Sequence, residues 1–389
     1  MTTSIAGIGQ TEFSVRSGRS ELQLAIEAIK AAVADAGIDI DEIDGLVRYT
    51  WDNTTEAAIL NALGLPRLTY YGETEFGGVN CCGAIAQACA AIEAGLASCI
   101  VFYRALNARS GTRYGRGDRI LSEENGQLVN RQMEPPGDVY SAPFGLLVPG
   151  QHHALYARAY LDHYGLSDDQ CAEMLGAIAV TQRAYANANP RALLRERELT
   201  MEQYLAGRII SEPLRLYDYC LETDGAMAIV ITSKEKAKSL RSRTVDVLAA
   251  QQYVHPGSVP MFLYAEDTHR LVPPEAGEIL FRRAGVSAQE IDVAMFYDAT
   301  SIMVPMALED FGFVERGGAH DFLTSGGNGP GGRLPINTHG GLLSEGYFHG
   351  LNSIAEAVRQ LRGESPNQVD CETAFMTLRG ASSMILGRA

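Results

Sequence analysis

A glycine-rich segment near the C-terminus carries two side chains that suit acid–base chemistry. It runs from Asn337 to Gly350 (NTHGGLLSEGYFHG), and Tyr347 and His349 stand among glycines at positions 340, 341, 346 and 350. Closely spaced glycines let the backbone approach a bound molecule, and a polar aromatic side chain in that setting can exchange a proton with it. The pattern indicates an acid–base site, and the alternative is a glycine-rich turn around a buried tyrosine.

Two adjacent cysteines suit a different chemistry, nucleophilic attack by a thiolate. Cys81 and Cys82 precede an alanine-rich helix predicted over Ala84–Ala94, and the dipole at a helix N-terminus lowers the pKa of a thiol there. Packing of small side chains in a buried helix is the alternative interpretation. The chain has seven cysteines and nothing that resembles CxxC, so we expect no disulfide framework and a cytoplasmic location.

Several other chemistries lack the residues they need. Only four of the 32 basic residues are lysines, and three of these lie in the polar run SKEKAKS, which disfavours a Schiff base. The run Ser325–Arg333 (SGGNGPGGR) satisfies GxGxxG without the strand-to-helix setting of a dinucleotide site. The histidines form neither HExxH nor a zinc-spaced cluster, and we interpret His152 and His153 as a capping or surface pair. We therefore predict neither a cofactor nor a metal in this chain.

The charge of the 389-residue chain disfavours two classes of partner. It has 32 basic and 47 acidic residues, a net charge of −15. Such a chain lacks the surplus of cations that nucleic acids and anionic membranes attract. The N-terminus shows no signal peptide, and the apolar run Ala84–Tyr103 is interrupted by polar residues, so we expect no membrane span.

A short stretch of arginines could still hold an anion such as the phosphates of a CoA thioester. A solvated basic loop is the alternative for the same residues. The stretch comprises Arg104, Arg109, Arg113 and Arg116.

Two stretches of the chain repeat one another at a constant offset of 248 residues. Residues 36–49 read AGIDIDEIDGLVRY and residues 284–297 read AGVSAQEIDVAMFY, with six identities that include Tyr49 and Tyr297. A helical pattern precedes each copy, over Glu21–Asp35 and Pro274–Arg283, and an apolar strand ends it. The repeat predicts two similar α/β halves, although helix–loop–strand units look alike in many α/β proteins.

A long insertion separates two predicted strands of the first half. These strands cover Cys99–Tyr103 and Asp224–Thr232, and a further strand pattern closes the chain at 376–387. The intervening residues begin with a stretch rich in Gly, Arg and Pro and then predict helices over His152–Tyr164 and Asp168–Asn187. We expect a lid or loop domain here, where elements that shape a substrate site are often found.

Four sequence features occur in a consistent order along the chain. They are the two-half pattern, the run DGAMAIVIT, the GG-x₄-G-x₃-G segment that begins at Gly340, and the closing LRGASSMILG. Together they resemble the thiolase superfamily, and the chain is most similar to its sterol-carrier and lipid-transfer thiolase-like branch. The resemblance implies an α/β thiolase fold of two βαβαβαββ halves in a five-layered α-β-α-β-α sandwich. The implied halves are 1–250, with a loop insertion at about 105–215, and 251–389.

The functional positions of a thiolase carry other residues here. The nucleophilic cysteine at the start of the buried helix falls on Gly78, with Cys81 and Cys82 displaced by three and four residues. The two catalytic histidines fall on Tyr297, in YDATS, and on Tyr347, in GGLLSEGYFHG. The resemblance thus implies two tyrosines at the acid–base positions and disfavours Claisen chemistry.

This pattern resembles the thiolase-like aldolases of bacterial steroid side-chain degradation. It implies retro-aldol cleavage of a β-hydroxyacyl-CoA, without a Schiff base, to a ketosteroid and propionyl-CoA. The expected substrate is a 17-hydroxy C22 steroid acyl-CoA. The implied partner is an OB-fold/zinc-ribbon protein, which would hold any zinc and can be attached to a MaoC-like hydratase. A homodimer core within a heterotetramer is expected.

The resemblance also assigns roles to individual residues. Tyr297 and Tyr347 form the acid–base pair, with the roles of acid and base left open. Backbone N–H groups near Gly341 and Gly380 are expected to hold the enolate oxygen, as in thiolase oxyanion holes. Asp298 and His349 are expected to assist by hydrogen bonding because they are sequence neighbours of the two tyrosines.

Two other functions remain open at this point. One is a thiolase or acyltransferase that uses Cys81 or Cys82 as its nucleophile. The other is a non-catalytic thiolase-like subunit that binds lipid or scaffolds a partner enzyme.

Overall fold

A computed structural model describes residues 1–50, 52–74, 80–111, 121–124, 127–130, 142–240, 243–254, 267–379 and 382–389. Its strands are β1 (Thr3–Gln10), β2 (Gly45–Tyr49), β3 (Tyr70–Thr74), β4 (Cys99–Asn107), β5 (Leu121–Glu124), β6 (Gln127–Asn130), β7 (Ile209–Ser211), β8 (Leu214–Arg215), β9 (Asp224–Ser233), β10 (Val245–Gln252), β11 (Val293–Phe296), β12 (Thr373–Leu378) and β13 (Ser382–Arg388). Its helices are α1 (Glu21–Ala36), α2 (Glu56–Leu63), α3 (Cys81–Glu93), α4 (Pro149–Tyr164), α5 (Asp168–Ala188), α6 (Met201–Leu205), α7 (Lys234–Ala237), α8 (Glu275–Ala284), α9 (Met303–Asp310), α10 (Ala319–Thr324), α11 (Gly341–Ser344) and α12 (Leu351–Arg362).

The main sheet joins two similar sets of strands. Its order in the described residues is β11-β12-β13-β10-β1-β9-β4-β2-β3, and the antiparallel pair β1–β10 lies where the two sets meet. Strands β1 to β4 and β9 alternate with α1, α2 and α3 as a βαβαβαββ unit, with the insertion before its last strand. Strands β10 to β13 form the other side. The two-half α/β fold predicted from the sequence is confirmed, whereas the exact limits of the halves stay a prediction.

The second half departs from the expected pattern at its third strand. Where β3 pairs with β2 in the first half, the second half has an isolated parallel bridge between Ala294 and Ile336. The amide of Ala294 donates to the carbonyl of Pro335 at 3.1 Å, and the amide of Asn337 donates to the carbonyl of Ala294 at 3.0 Å. A glycine-rich loop therefore stands where a full strand was expected, and it brings the Asn337 segment beside β11.

Alternating side chains divide the first half into layers. On β9, Ala228 and Val230 face α1, while Met227 and Ile229 face the interior that holds α3 and α12. Both α3 and α12 contact strands of the two halves, so they form the central layer.

The second half carries its outer helix on the far side of the sheet. The side chain of Gln251 donates to Ala276 of α8, whereas that of the adjacent Gln252 donates to Asn80 at the start of α3. Neighbouring residues of a strand point to opposite faces, so α8 and α3 lie on opposite sides of β10. The resulting order, α1, strands, α3 with α12, strands, α8, is the expected five-layered arrangement.

The internal repeat folds as the same unit twice. Helices α1 and α8 end at Ala36 and Ala284, each followed by a glycine in the left-handed conformation, Gly37 with φ 69° and Gly285 with φ 75°. A short 3₁₀ turn and then β2 or β11 follow in each copy. The predicted helix–loop–strand repeat is confirmed, because local signals specify the glycine cap and the strand that follows it.

The repeated aspartates tie each unit to the next strand. The carboxylate of Asp44 accepts hydrogen bonds from the backbone of Ser98 and Cys99 at 2.8 to 3.0 Å. The carboxylate of Asp292 accepts from the backbone of Glu372 and Thr373 at 2.8 and 2.9 Å. Identical residues thus hold β2 beside β4 and β11 beside β12 at the start of each strand, and the repeated tyrosines stand at the other end of β2 and β11.

The insertion begins later in the chain than the sequence predicts. Strand β4 continues to Asn107 rather than ending at Tyr103, and pairs with β9 along its full length. Helices α4 and α5 confirm the two predicted insertion helices. In the described part of the chain, we find no helix with the length and apolar character needed to cross a membrane.

Candidate active site

Two tyrosine hydroxyl groups meet between the central layer and the end of β11. The hydroxyl oxygens of Tyr297 and Tyr347 lie 2.8 Å apart, and either one can be the donor of the hydrogen bond between them. Tyr297 directly follows β11 and its amide donates to the carbonyl of Thr377 in β12 at 3.0 Å. Tyr347 precedes α12 and its amide donates to the hydroxyl of Thr223 at 3.2 Å. The structure therefore brings together the two tyrosines that the sequence selects.

The two phenols differ in their exposure. Tyr297 is buried, whereas Tyr347 is half-buried. Burial raises the pKa of Tyr297 above its usual value, and the neighbouring Cys220 adds to this effect. Tyr297 therefore holds its proton near neutral pH, and a proton can move from it only as another arrives.

Asn337 fixes the backbone from which Tyr297 projects. Its side-chain amide accepts a hydrogen bond from the Phe296 N–H and donates one to the Phe296 carbonyl, both at 2.9 Å. Asn337 itself has φ 52°, a left-handed conformation that asparagine tolerates better than most residues. The side chain thus takes the place of a neighbouring strand and anchors the last residue of β11.

Asp298 and Gly341 form a close contact next to the tyrosine pair. The carboxylate of Asp298 accepts from the amide of Leu342 at 3.0 and 3.1 Å. Gly341 has φ 65°, and a Cβ there would lie 2.2 Å from the Asp298 carboxylate and 2.3 Å from the amide oxygen of Gln182. Burial raises the pKa of Asp298 to about 7, although the backbone N–H bonds oppose this rise. Only glycine fits position 341, and its role here is to admit the carboxyl group.

Gly380, the other glycine expected to hold an enolate oxygen, lies outside the described residues, as does Gly78. The oxyanion assignments therefore stay predictions.

His349 lies on the other side of Tyr347. Its Nδ1 accepts a hydrogen bond from Nε of Arg104 at 2.9 Å, and its ring centroid lies 4.9 Å from that of Tyr347, with the rings at 71°. Burial lowers the pKa of His349 well below its usual value, and the charge of Arg104 lowers it further. The imidazole is therefore neutral, and because Nδ1 accepts, the ring proton is on Nε2.

Arg104 is buried, contrary to both interpretations of the arginine stretch. Its side chain is 1% exposed and forms an ion pair with the equally buried carboxylate of Asp52. A guanidinium in this position reaches neither a bound CoA phosphate nor bulk solvent. Arg109 is 41% exposed and lies 3.8 Å from Glu222. Arg113 and Arg116 lie outside the described residues.

The two candidate nucleophiles are buried thiols. Cys81 and Cys82 begin α3 with no exposed surface, and burial raises the pKa of both. Desolvation outweighs the helix dipole here because a buried thiolate loses its hydration. Cys81 also interacts with the hydroxyl of Tyr49, the repeat counterpart of Tyr297. These features are typical of packing residues and disfavour a thiolate nucleophile.

The insertion contributes a buried histidine near the pair, which the sequence did not identify as part of a site. His152 and His153 are both buried and lie within α4, whose N-cap is Val148, so their interpretation as a capping or surface pair was wrong. Nδ1 of His153 lies 3.1 Å from the hydroxyl of Thr300, three residues beyond Tyr297. Burial lowers the pKa of His153, and the charge of Arg379, which follows β12, lowers it further. The same charge opposes the rise in the pKa of Tyr297. No local sequence pattern points to His153, because its hydrogen-bond partner Thr300 lies 147 residues further along the chain.

The described residues contain no group of three or more His, Cys, Asp or Glu side chains placed to hold a metal ion.

Comparison with known proteins identifies similar chains over nearly the full length. A thiolase C-terminal domain-like family matches residues 260–387. The chain is 40% identical to a steroid side-chain-cleaving aldolase of Thermomonospora curvata, over 99% of this chain and 97% of the relative. It is also 40% identical to the 17-hydroxy-3-oxo-4-pregnene-20-carboxyl-CoA lyase of Mycobacterium tuberculosis, over 99% of this chain and 98% of that one.

A solved structure gives the same result for the fold. The Ltp2-ChsH2(DUF35) aldolase superimposes with a TM-score of 0.89 at 38% identity, covering 100% of this chain and 98% of that chain.

Proposed function

The chain belongs to the thiolase superfamily, in the thiolase-like branch that contains steroid side-chain-cleaving aldolases, and is a carbon–carbon lyase; we propose that it cleaves a steroid acyl-CoA by a retro-aldol reaction. The proposed substrate is a β-hydroxyacyl-CoA with a 17-hydroxyl group on a C22 steroid. The proposed products are a ketosteroid and propionyl-CoA. Similarity to a 17-hydroxy-3-oxo-4-pregnene-20-carboxyl-CoA lyase at 40% identity supports this substrate class.

The observation that carries the proposal is the 2.8 Å hydrogen bond between the hydroxyl groups of Tyr297 and Tyr347. Retro-aldol cleavage moves one proton from the β-hydroxyl of the substrate to its α-carbon. Two phenols in direct contact can perform this transfer as a relay. One phenol oxygen takes the hydroxyl proton while its own proton crosses to the other phenol, which protonates the α-carbon.

Bonds and charges balance in this relay. The electrons of the substrate O–H bond form the new carbonyl, the Cα–Cβ bond breaks, and its electron pair passes to the thioester enolate. The second tyrosine protonates the α-carbon in the same step in which the first takes the hydroxyl proton, so enolate character develops only in the transition state. Neither phenol becomes a free phenolate, which suits a site where burial raises the pKa of Tyr297. Which tyrosine accepts and which donates stays open.

Four residues are proposed to support the pair. Asp298 holds the start of α11 beside Tyr297, through the space that Gly341 leaves for its carboxyl group. His349 packs against Tyr347 as a neutral ring. We further propose that backbone N–H groups near Gly341 and Gly380 hold the enolate oxygen, where they would stabilise charge that develops in the transition state.

The proposal includes a protein partner. The similar solved structure is named as an aldolase with a DUF35 component. By analogy, we propose an OB-fold/zinc-ribbon partner that holds zinc and that occurs alone or fused to a MaoC-like hydratase. A homodimer core within a heterotetramer, a cytoplasmic location and the division into halves 1–250 and 251–389 belong to the same proposal.

The function is tested by product analysis. The protein, alone and with a DUF35-type partner, is incubated with a 17-hydroxy steroid acyl-CoA, and propionyl-CoA is measured by mass spectrometry. We expect cleavage by the wild type and by Cys81→Ala and Cys82→Ala, and its loss in Tyr297→Phe and Tyr347→Phe. Loss of cleavage in the cysteine variants alone would instead support a thiolase or acyltransferase. Absence of cleavage by the wild type with and without partner would contradict the aldolase proposal.

A further inference from the structure

A buried ion pair lies behind the active site, and the proposed relay does not use it. The guanidinium of Arg104, in β4, is paired through Nη1 with the carboxylate of Asp52, which follows β2. The second carboxylate oxygen of Asp52 accepts from the amide of Tyr49 at 2.9 Å. Both charged side chains are 1% exposed. Burying two charges is costly, and removing one partner leaves the other uncompensated, so the pair warrants a functional explanation.

The same guanidinium reaches the active site through its other nitrogen. Nε of Arg104 donates to Nδ1 of His349 at 2.9 Å, and the guanidinium lies 5.3 Å from the centre of the Tyr49 ring. The hydroxyl of Tyr49 in turn donates to the carbonyl of His349 at 3.3 Å. Backbone and ring of His349 are therefore both held from the first half of the fold, while Tyr347 stands two residues earlier.

We propose that Arg104 and Asp52 are positioning residues that hold His349 as the neutral imidazole with its proton on Nε2, and thereby hold its ring against Tyr347. The inference rests on the proposed aldolase function for its catalytic meaning. Asp52 keeps the guanidinium in place and balances its charge. Arg104 donates to Nδ1, which excludes the Nδ1–H tautomer and the doubly protonated ring.

The neutral state of His349 matters for the phenol pair. Among the described residues, the titratable and charged groups that face this ring include Arg104, Tyr49 and Tyr347. A protonated imidazole with its ring 4.9 Å from that of Tyr347 would stabilise a phenolate there, and a phenolate could not pass on a proton of its own. A neutral ring leaves both phenols protonated, as the relay requires.

Lysine cannot replace arginine in this geometry. The planar guanidinium presents Nε to His349 and Nη1 to Asp52 at the same time, whereas an ammonium group is a point charge on a flexible stem. Arg104→Lys therefore keeps the charge that faces Asp52 but loses the fixed donor to Nδ1. This substitution separates charge balance from ring positioning.

The first arm of the test reads the tautomer directly. The protein is labelled with ¹⁵N-histidine, and long-range ¹H–¹⁵N spectra distinguish protonation at Nδ1 from protonation at Nε2; the His349 signals are assigned by their loss in His349→Gln. In the wild type we expect a neutral ring protonated at Nε2 throughout about pH 6 to 8. In Arg104→Lys we expect a mixture of tautomers or a titration in this range. A wild-type ring that is charged or protonated at Nδ1 would overturn the proposal, even if Arg104→Lys fails to fold.

The second arm measures propionyl-CoA formation. For Arg104→Lys we expect kcat to fall by about 10- to 100-fold, as for residues that orient metal-binding histidines, with KM little changed and a new pH dependence of kcat. Arg362→Lys is the matched control, because Arg362 is 2% exposed, pairs with Asp35 and lies at the far end of α12. The control should leave kcat and the His349 spectrum unchanged.

The two arms separate the two proposals. If Arg104→Lys changes the tautomer but leaves kcat and its pH profile unaltered, or leaves the tautomer unaltered, the positioning role is wrong. If the wild type forms no propionyl-CoA, the aldolase function fails, and the spectra still decide whether Arg104 sets the state of His349.

Discussion

The proton relay predicts that the two tyrosines act as one unit. Tyr297→Phe or Tyr347→Phe removes one oxygen from a path that runs through both, so either change interrupts the same transfer. A positioned acid or base contributes about 10²- to 10⁴-fold to a rate. At about 1.36 kcal/mol per tenfold, each single variant should raise the barrier by about 2.7 to 5.4 kcal/mol.

The double variant is the decisive one. Once one phenol is missing, the second has no relay to support, so Tyr297→Phe combined with Tyr347→Phe should be no more than about tenfold slower than the slower single variant. If the two groups acted independently, their activation free energies would add, so the rate of the double variant would fall by the product of the two single factors. A loss of that size, or a single variant that retains most of its rate, would refute the relay.

Loss of folding is excluded by a matched control. Without the Tyr297 hydroxyl, the half-buried Tyr347 can bond to water, so the cost in unfolding free energy should be only about 0.5 to 1.5 kcal/mol. Tyr103→Phe removes another buried phenol, which bonds to the hydroxyl of Thr54 at 2.6 Å on the α1 side of β4. The Tyr103→Phe variant should lose stability and keep its kcat.

The assay for all these variants is the formation of propionyl-CoA, measured by mass spectrometry. In D₂O, one deuterium should be incorporated at the α-carbon of the product.

Three further predictions concern stability and reactivity. Gly341→Ala should destabilise the protein by about 3 to 5 kcal/mol in urea unfolding, through left-handed strain and loss of the carboxylate contact; Gly64→Ala, with φ 71° and open space around it, should cost only the strain. Burial raises the pKa of Asp298 to about 7, so the folded state holds a proton that the unfolded chain has lost above about pH 4, and stability from this group falls between about pH 4 and pH 7 and is constant at higher pH. Tm should therefore fall less with rising pH in Asp298→Asn than in the wild type, and equal slopes would contradict this. Because burial raises the pKa of Cys81 and Cys82, iodoacetamide should modify them only after denaturation, and rapid alkylation with loss of activity would favour a thiolate nucleophile.

Local signals in the sequence determined the repeated unit and most element limits. The glycines at 37 and 285 end their helices because a left-handed residue there costs glycine little, and the apolar runs that follow become β2 and β11. The buried pattern of Asp224–Thr232 likewise became β9, one residue longer than predicted. These features depend on neighbours within a few residues, and the sequence contains those neighbours.

The sequence also selected the two tyrosines, but by resemblance of their motifs and not by any local rule. Nothing in the 49 residues between Tyr297 and Tyr347 specifies that their hydroxyl groups meet at 2.8 Å. That distance arises because Asn337 anchors the end of β11 and the fold returns the segment before α12 to the same place.

The burial of several polar and charged side chains was decided by the tertiary structure alone. The sequence does not distinguish Arg104 from the arginines that follow it. In the structure, however, β4 extends through Arg104, and Asp52 and His349 are its partners. His152 and His153 are polar residues that the sequence pattern does not predict to be buried. They are buried because α4 packs against the core. The guanidinium of Arg104 is stable in the interior because distant segments provide its ion pair and hydrogen bond, and those segments meet only in the folded chain.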